Sequence, residues 1–344
     1  METTLMVKVV LIDTENAPIN LRAGFRLETF HPMEATIAPL VEANLVLVDF
    51  MITDWASKTD ARIPELARPS DGLALAHSIR RILEQEGDKC PPAVALMTSE
   101  YEEAAKPLPR SILPHLLARL NGIEWVFEKT DGRDGVEALA SASNPDLYAI
   151  VRQGTAEEKL VALARYLGVP DTTDCTYILD EIDFCQPPIH DLYGWEHGLL
   201  ILRWLIHRVL PYPTMLVGDS YVAERAQCKL GDLSEAVSRK NDAGFLTSKY
   251  VGAASEMFTR RFWRCLLERY LYQKLGDSAS DPSRVRALLC EELEFELEVA
   301  PEPQVECLDN SGRYGNCCAP MSQVKQILID DWPPFATPAF SCYE

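Results

Sequence analysis

Six polar residues suited to phosphoryl chemistry stand at or just behind the ends of apolar runs in the first part of the chain. They are three carboxylates, two hydroxyls and an ammonium: Asp13, Glu15, Asp49, Thr98, Ser99 and Lys129. Mg²⁺ prefers carboxylates and water in octahedral geometry. A hydroxyl can hydrogen-bond a phosphoryl oxygen, and the ammonium of a lysine is a compact charge that can pair with another. Together these residue types predict a site for Mg²⁺ and a phosphoryl group.

The apolar runs in front of these residues have the length of β-strands. The runs are "VKVVLIDTE" (7–15), "NLVLVDF" (44–50), "AVALMTSE" (93–100) and "IEWVFEKTD" (123–131). Near-continuous Val, Ile and Leu is typical of strands that are buried on both faces of a parallel sheet. Between the second and third runs, Leu75, Ile79 and Ile82 recur at helical spacing, with Asp71 near the start and Gly87 as a C-cap. This order predicts a doubly wound α/β layer in which the residues behind the strands converge at one edge.

The constellation resembles the receiver domain of two-component response regulators, over roughly residues 6–140. That family has acidic residues after strand 1, a phosphoacceptor Asp after strand 3, Thr or Ser after strand 4 and Lys after strand 5. The Asp71–Gly72 pair and "ALMTSE" also match it. The resemblance implies a flavodoxin-like doubly wound receiver domain in which Asp49 is phosphorylated. It further implies a Mg²⁺ site formed by Asp13, Glu15, Asp49 and the backbone carbonyl of Met51. The residues that would sense the phosphate are Thr98, Ser99 and Lys129.

The sequence departs from the receiver pattern at several positions. Thr14 separates Asp13 from Glu15, where receivers carry two adjacent acids, so we expect weak Mg²⁺ binding. The Met–Pro pair that follows the phosphoacceptor in the family is replaced by Ile52–Thr53, and about fifteen extra residues precede Asp71. The expectation is therefore a divergent receiver. A pseudo-receiver that binds partners without phosphate stays open as an alternative.

The chain after "SASNP" is predicted to form a second domain. We place a receiver-like domain at 1–143 and an acidic, mainly helical domain of unknown fold at 144–344. The segment "GTAEEKLVALARYLG" predicts a helix with a capping box between Thr155 and Glu158 and with Gly168 at its end. Further helices are expected near 196–209, 219–229, 232–240, 254–275 and 282–297. The Gly- and Pro-rich tail is expected to form short strands and turns.

Three segments of this second half have a functional interpretation beside a structural one. A group of acids and histidines would suit a metal-dependent hydrolase, although a solvated acidic turn before a helix explains it equally well: Asp180, Glu181, Asp183, His190, Asp191, Glu196 and His197. The segment "YVAERAQCKLGDLSEAVSRK", with a turn near Gly231, weakly matches a helix-turn-helix, and two packed helices are favoured. The segment "RRFWRCLLERYLYQKL" has apolar residues at helical spacing, which predicts an ordinary core helix or a partner-binding face.

Composition excludes several classes of function. The 344 residues are 47% hydrophobic and 25% charged, as in ordinary globular proteins, and carry a net charge of −19 that is spread over both halves. Because binding to a phosphate backbone requires concentrated Lys and Arg, nucleic acid is not an expected partner. Neither the N-terminus nor "GLLILRWLIHRVL" has the pattern of a signal peptide or membrane span. Ten cysteines without a C-x-x-C pair fit reduced thiols, so a cytoplasmic protein without membrane contact is expected.

The leading functional hypothesis is a phosphorelay component that is not itself an enzyme. A histidine kinase or phosphotransfer protein would pass a phosphoryl group to Asp49, with Mg²⁺ offsetting the charge. No output motif for DNA is visible, which favours contact with an unidentified protein effector or a role as a phosphoryl sink. Receivers without an output domain also occur in bacterial stress and phage-defence systems. The hypotheses from other classes are the pseudo-receiver scaffold and the hydrolase in the second half.

Overall fold

The computed structural model of the chain divides into two compact units. The first comprises Met1–Lys159 and Asp191–Arg203, and the second Leu160–His190 and Trp204–Glu344. The residues that the structure describes are 6–14, 19–52, 71–85, 90–99, 113–129, 133–169, 176–189, 198–240, 242–308, 317–326, 333–337 and 340–342. In this part of the chain, no helix combines the length and the apolar character needed to cross a membrane.

A five-stranded parallel sheet forms the centre of the first unit. Its strands are β1 (Val7–Ile12), β2 (Phe25–Phe30), β3 (Leu45–Asp49), β4 (Ala93–Thr98) and β5 (Trp125–Glu128). They lie in the order β2-β1-β3-β4-β5, and each neighbouring pair is parallel. The predicted α/β class is confirmed. The order 2-1-3-4-5 is one of the two common orders of doubly wound sheets.

The burial of the strands follows their composition. Every residue of β3 and β4 is buried, as near-continuous apolar runs predict. Strand β2 pairs only with β1 and is partly exposed along its length, with Arg26 and Glu28 between its apolar residues. The sequence analysis did not predict β2, because an edge strand with a solvent-facing side lacks a continuous apolar run.

The described part of the first unit also contains helices. They are α1 (Ile37–Val41), α2 (Gly72–Gln85), α3 (Leu113–Asn121), α4 (Arg133–Ala142), α5 (Pro145–Val151), α6 (Ala156–Tyr166), which continues into the second unit, and α8 (Leu199–Trp204). The predicted capping box of α6 is confirmed: Thr155 N donates to Glu158 Oε2 at 2.9 Å, and Glu158 N donates to Thr155 Oγ1 at 3.1 Å. Gly168 follows this helix with a φ of +73°, as a C-terminal glycine cap requires. The predicted C-cap of α2, Gly87, lies outside the described residues.

The second unit is mainly helical, as predicted. Its helices are α7 (Thr176–Phe184), a π-helical turn (Leu205–Val209), α9 (Asp219–Ala226), α10 (Leu230–Arg239), α11 (Arg264–Leu275) and α12 (Pro282–Leu293). Short antiparallel pairs accompany them: β6 (Leu216–Gly218) with β7 (Arg261–Trp263), β8 (Gln304–Glu306) with β9 (Cys318–Pro320), and β10 (Val324–Gln326) with β11 (Phe340–Cys342). Helices α9 to α12 share one apolar core, which includes Val222, Leu233, Leu267 and Val285.

Two expectations for this unit are corrected by the structure. The helix expected over 254–275 begins only at Arg264, because the preceding residues pair with β6 as strand β7. Phe262 and Trp263 are fully buried in that strand, so their helical spacing was misleading and they form core rather than a partner-binding face. The weak helix-turn-helix match corresponds to α9 and α10, whose connection turns at Gln227 with a φ of +47° rather than near Gly231.

Candidate functional site

Four of the predicted site residues meet at the carboxyl ends of the parallel strands. Asp13 directly follows β1, Asp49 is the last residue of β3, Thr98 is the last residue of β4, and Lys129 directly follows β5. The backbone fixes these ends, because Lys129 N donates to Thr98 O at 2.8 Å and Asp13 N donates to Phe30 O at 3.1 Å. The convergence therefore follows from parallel pairing with aligned strand ends.

The ammonium of Lys129 forms ion pairs with two buried carboxylates at this edge of the sheet. Lys129 Nζ lies 3.1 Å from Asp49 Oδ1 and 3.6 Å from Asp13 Oδ2. The side chains of Asp13 and Asp49 are 0% and 5% exposed, whereas that of Lys129 is 21% exposed. When both carboxylates are ionised, the three groups carry a net negative charge in a place that is largely withdrawn from water.

The pKa of Asp49 is raised by its burial and by the negative charge beside it. Burial and the neighbouring charge of Asp13 raise the pKa of Asp49 from 3.8 to about 6, and the hydrogen bond and charge of Lys129 only partly oppose them. Partial burial lowers the pKa of Lys129, but the hydrogen bond and charge of Asp49 and the charge of Asp13 outweigh it, so the net pKa lies above the ordinary 10.5. Lys129 is therefore a permanent cation, and Asp49 is mostly ionised above about pH 6.

A glycine holds the start of α2 against the backbone of Asp49. Asp71 caps this helix, since its Oδ1 accepts a hydrogen bond from Ala74 N at 2.8 Å. Gly72 N donates to Phe50 O at 2.9 Å, and a Cβ added to Gly72 would lie 1.8 Å from Asp49 O. No side chain fits there, so the Asp71–Gly72 pair found in the sequence places α2 directly behind the candidate phosphoacceptor.

The remaining predicted residues occupy different environments. Thr98 is 1% exposed at the end of β4, whereas Ser99 beside it is exposed. Met51, whose backbone carbonyl is a predicted metal ligand, follows β3 by two residues and has a side chain at the surface. Glu15 lies outside the described residues. The structure thus gathers Asp13, Asp49 and Lys129 and buries Thr98 next to them in the sheet.

Whether a metal ion can bind at the carboxyl edge depends on which side chains could serve as its ligands. Within the described ranges, no group of three or more His, Cys, Asp and Glu side chains could hold a metal ion. Asp13 and Asp49 nevertheless supply two carboxylates that face one ammonium. Mg²⁺ is commonly bound through one or two carboxylates while waters and phosphate oxygens complete its octahedron. The donor pair therefore fits Mg²⁺ in that mode.

The candidate hydrolase residues are only partly within the described part of the chain. Asp180 and Asp183 are exposed on α7, and Glu181 Oε1 pairs with Arg264 Nη2 at 3.3 Å. The other four, His190, Asp191, Glu196 and His197, lie outside the described residues. The three described acids form no common cluster.

A second buried charge cluster lies at the opposite, amino-terminal end of the sheet. Glu124, just before β5, is fully buried and pairs with Arg80 of α2 and with Arg203 Nη2 of α8 at 2.8 Å. Arg80 also donates to Pro92 O at 3.0 Å and to Gly122 O at 3.2 Å. The sequence analysis missed this cluster; its one signal was a glutamate inside the apolar run "IEWVF".

The chemistry available at the carboxyl edge is nucleophilic attack by a carboxylate beside a fixed cation. An aspartate that is ionised at neutral pH can take up a phosphoryl group as an acyl phosphate. An ammonium within hydrogen-bonding distance can pair with the oxygens of that group. Comparison of the chain with protein-family models, curated proteins and solved structures found no match.

Proposed function

We propose that this chain is a phosphorelay signalling protein whose first unit is a divergent receiver that accepts a phosphoryl group on Asp49. The observation that carries the proposal is the position of Lys129 Nζ, 3.1 Å from Asp49 and 3.6 Å from Asp13. The strand order 2-1-3-4-5 and the buried Thr98 at the end of β4 support it. Receivers have this strand order and place these residue types at these strand ends.

In the proposed reaction, Asp49 attacks the phosphorus of a phosphohistidine on a histidine kinase or phosphotransfer protein. The new bond joins a carboxylate oxygen to phosphorus, and the phosphorus–nitrogen bond breaks with its electron pair on the imidazole of the donor. Lys129 pairs with an oxygen of the transferred group, and the Thr98 hydroxyl donates to another. Bound Mg²⁺, held by Asp13 and Asp49 and, by the resemblance, by Glu15 and the Met51 carbonyl, would supply charge neutralisation.

The electrostatics of the site support the proposed role of a cation. The phosphoryl group adds about −1.5 to −2 charges. It would arrive beside Asp13, whose charge already contributes to raising the pKa of Asp49. Lys129 lies within 4 Å of both carboxylates and carries one positive charge. A divalent ion would offset more of the negative charge than Lys129 alone.

The proposed output is protein contact or storage of the phosphoryl group. The net charge of −19 is spread over both halves, which disfavours binding to a phosphate backbone. A protein effector would meet either the receiver or the helical unit. A pseudo-receiver, in which the same fold binds partners without phosphate, is the competing outcome of the test.

The deciding experiment is intact-mass measurement of the full chain after incubation with acetyl phosphate and Mg²⁺. We expect the mass gain of one phosphoryl group, lost in Asp49→Asn and retained in Asp146→Asn, which changes an exposed aspartate on α5. Absence of the gain in the wild-type protein, under conditions that label an ordinary receiver, would establish the pseudo-receiver. Labelling that persists in Asp49→Asn would place the phosphoryl group on another residue and refute the proposal.

A further inference from the structure

Two cysteine thiols face each other at the end of the β8–β9 pair where the segment that connects the two strands begins. The antiparallel register sets Glu306 opposite Cys318, which makes Cys307 and Cys317 the next pair. Cys307 N donates to Cys317 O at 3.0 Å, so the ladder continues through this pair. Cys307 Sγ donates to Cys317 Sγ at 3.3 Å. A disulfide bond is about 2.05 Å long, so a shift of roughly 1 Å would join the two sulfurs.

The hairpin is anchored to α9 and its C-terminal turn, which holds the pair in place. Glu306 N donates to Glu224 Oε2 at 3.0 Å, and the Ser220 hydroxyl donates to Glu306 Oε1. Gln304 N donates to the side-chain oxygen of Gln227 at 2.8 Å. These bonds fix the strand that leads directly into Cys307. The closeness of the two sulfurs is therefore set by regular strand pairing.

The two thiols differ in their access to solvent. Cys307 is fully buried, whereas Cys317 is half-buried. Both pack against Ala319 and Val324 in a small apolar cluster. A dissolved oxidant therefore reaches the Cys317 thiol first. The Cys307 sulfur lies 3.3 Å from the Cys317 sulfur on the buried side. This is the arrangement of an attacking thiol with a resolving thiol.

We propose that Cys307 and Cys317 form a redox-responsive modification site, at which peroxide converts the two thiols into an intramolecular disulfide. The Cys317 thiolate attacks hydrogen peroxide, the O–O bond breaks, and a sulfenic acid and water form. Cys307 sulfur then attacks Cys317 sulfur, the S–O bond breaks, and a second water leaves. In total, two thiols and one peroxide give one disulfide and two waters. A dithiol reductant reverses the change by thiol–disulfide exchange.

The neighbouring cysteines are poorly suited to react with peroxide in place of Cys307 and Cys317. Cys318 Sγ donates to Ser220 O at 3.2 Å, which turns this side chain towards α9. Burial, together with the charges of Glu306 and Glu224, raises the pKa of the Cys318 thiol well above its ordinary value. Because the thiolate is the reactive form, Cys318 stays inert at neutral pH. Burial likewise raises the pKa of Cys228 to about 12.

The first test is peroxide treatment of the full-length chain, followed by alkylation of the remaining thiols and peptide mass spectrometry. We expect one peptide pair joined through Cys307 and Cys317, and its disappearance after treatment with dithiothreitol. Sulfinic or sulfonic acid at Cys317 with Cys307 still alkylated would overturn the proposal. So would a disulfide that joins any other two cysteines, or full alkylation of both thiols at peroxide concentrations that oxidise a reference dithiol.

The second test compares reduced and peroxide-treated wild-type protein, a comparison that does not depend on the folding of a variant, and then uses variants to locate the site. Phenylarsine oxide binds two thiols only when they lie close together, so the reduced chain should bind one equivalent and the peroxide-treated chain none. Cys307→Ser and Cys317→Ser should each abolish this binding, and Cys318→Ser should retain it. Binding that survives peroxide treatment, or that is lost only in Cys318→Ser, would refute the assignment.

Discussion

Replacing Asp49 by asparagine should stabilise the first unit at alkaline pH and change little at acid pH. Asparagine has nearly the shape of a protonated aspartate but cannot ionise. In the wild-type protein Asp49 is 3% exposed, and burial together with the charge of Asp13 raises its pKa from 3.8 to about 6. Ionised Asp49 therefore destabilises the folded state relative to the unfolded chain, in which the carboxylate is hydrated.

The sign and the size of the effect follow from this difference in pKa. Because the folded-state pKa lies above the unfolded one, stability falls as the pH rises from about 4 to about 6 and then stays low. One pKa unit corresponds to about 1.36 kcal/mol, so the interval from 3.8 to about 6 gives a cost of about 3 kcal/mol at pH 8. At pH 4 the cost falls to about 0.5 kcal/mol, since Asp49 is then protonated in the folded state and only about half ionised in the unfolded chain.

Urea unfolding of the wild-type protein and Asp49→Asn at pH 4, 6 and 8, followed by circular dichroism, measures this cost. The stabilisation should grow from about 0.5 kcal/mol at pH 4 to about 3 kcal/mol at pH 8. Asp146→Asn, at an exposed position, should show no such trend. Mg²⁺ added at pH 8 should stabilise the wild-type protein more than Asp49→Asn. A gain that is equal at pH 4 and pH 8, or a variant less stable at pH 8, would refute the reasoning.

Three further changes test the surroundings of the site. Gly72→Ala places a Cβ 1.8 Å from a backbone oxygen of β3, so the free energy of unfolding should fall by about 2 kcal/mol and phosphoryl labelling should slow. Arg203→Met removes one of two guanidinium partners of the buried Glu124, so unfolding should become easier by about 2–3 kcal/mol in urea titrations. Thr14→Asp adds an acid beside Asp13, so calorimetry should show about tenfold tighter Mg²⁺ binding.

For each of these three substitutions, one result would contradict the structural argument behind the prediction. Gly231→Ala is the matched control for Gly72→Ala, because nothing lies within 4 Å of the added Cβ, and it should be neutral or stabilising. Equal effects of the two glycine changes would remove the steric argument. Unchanged stability of Arg203→Met would show that Arg80 alone satisfies Glu124. Unchanged Mg²⁺ affinity in Thr14→Asp would mean that the neutral Thr14 does not weaken the metal site.

The sequence predicted the residues of the carboxyl edge because they depend on local pattern. Asp13, Asp49 and Thr98 follow or end continuous apolar runs, Lys129 follows a mainly apolar run that ends in Glu128, and parallel strands bring such positions to one edge. Nothing beyond strand length and order was needed for this inference. The Thr155–Glu158 capping box was predictable for the same reason, since both partners lie within one helical turn.

What the sequence could not predict depends on distant partners. Glu124 pairs with Arg80 and Arg203, which are 44 and 79 residues away, and its run alone shows only an acid among apolar residues. Phe262 and Trp263 have helical spacing with α11 but pair with β6, because strand pairing and burial outweigh periodicity. The Cys307–Cys317 contact depends on hairpin register, which residue spacing alone does not set.

The two ends of the sheet carry net charges of opposite sign, and the difference supports the proposal that the ligand site lies at the carboxyl end. At the amino end, the carboxylate of Glu124 is matched by two guanidinium groups, whose further donors reach the carbonyls of Gly122 and Pro92. At the carboxyl end, two carboxylates share one ammonium, and the pKa of Asp49 rises as a result. Proteins keep such a destabilising arrangement mainly at functional sites. A cation and a phosphoryl group would offset it at the carboxyl edge, whereas Glu124 already has its partners within the fold.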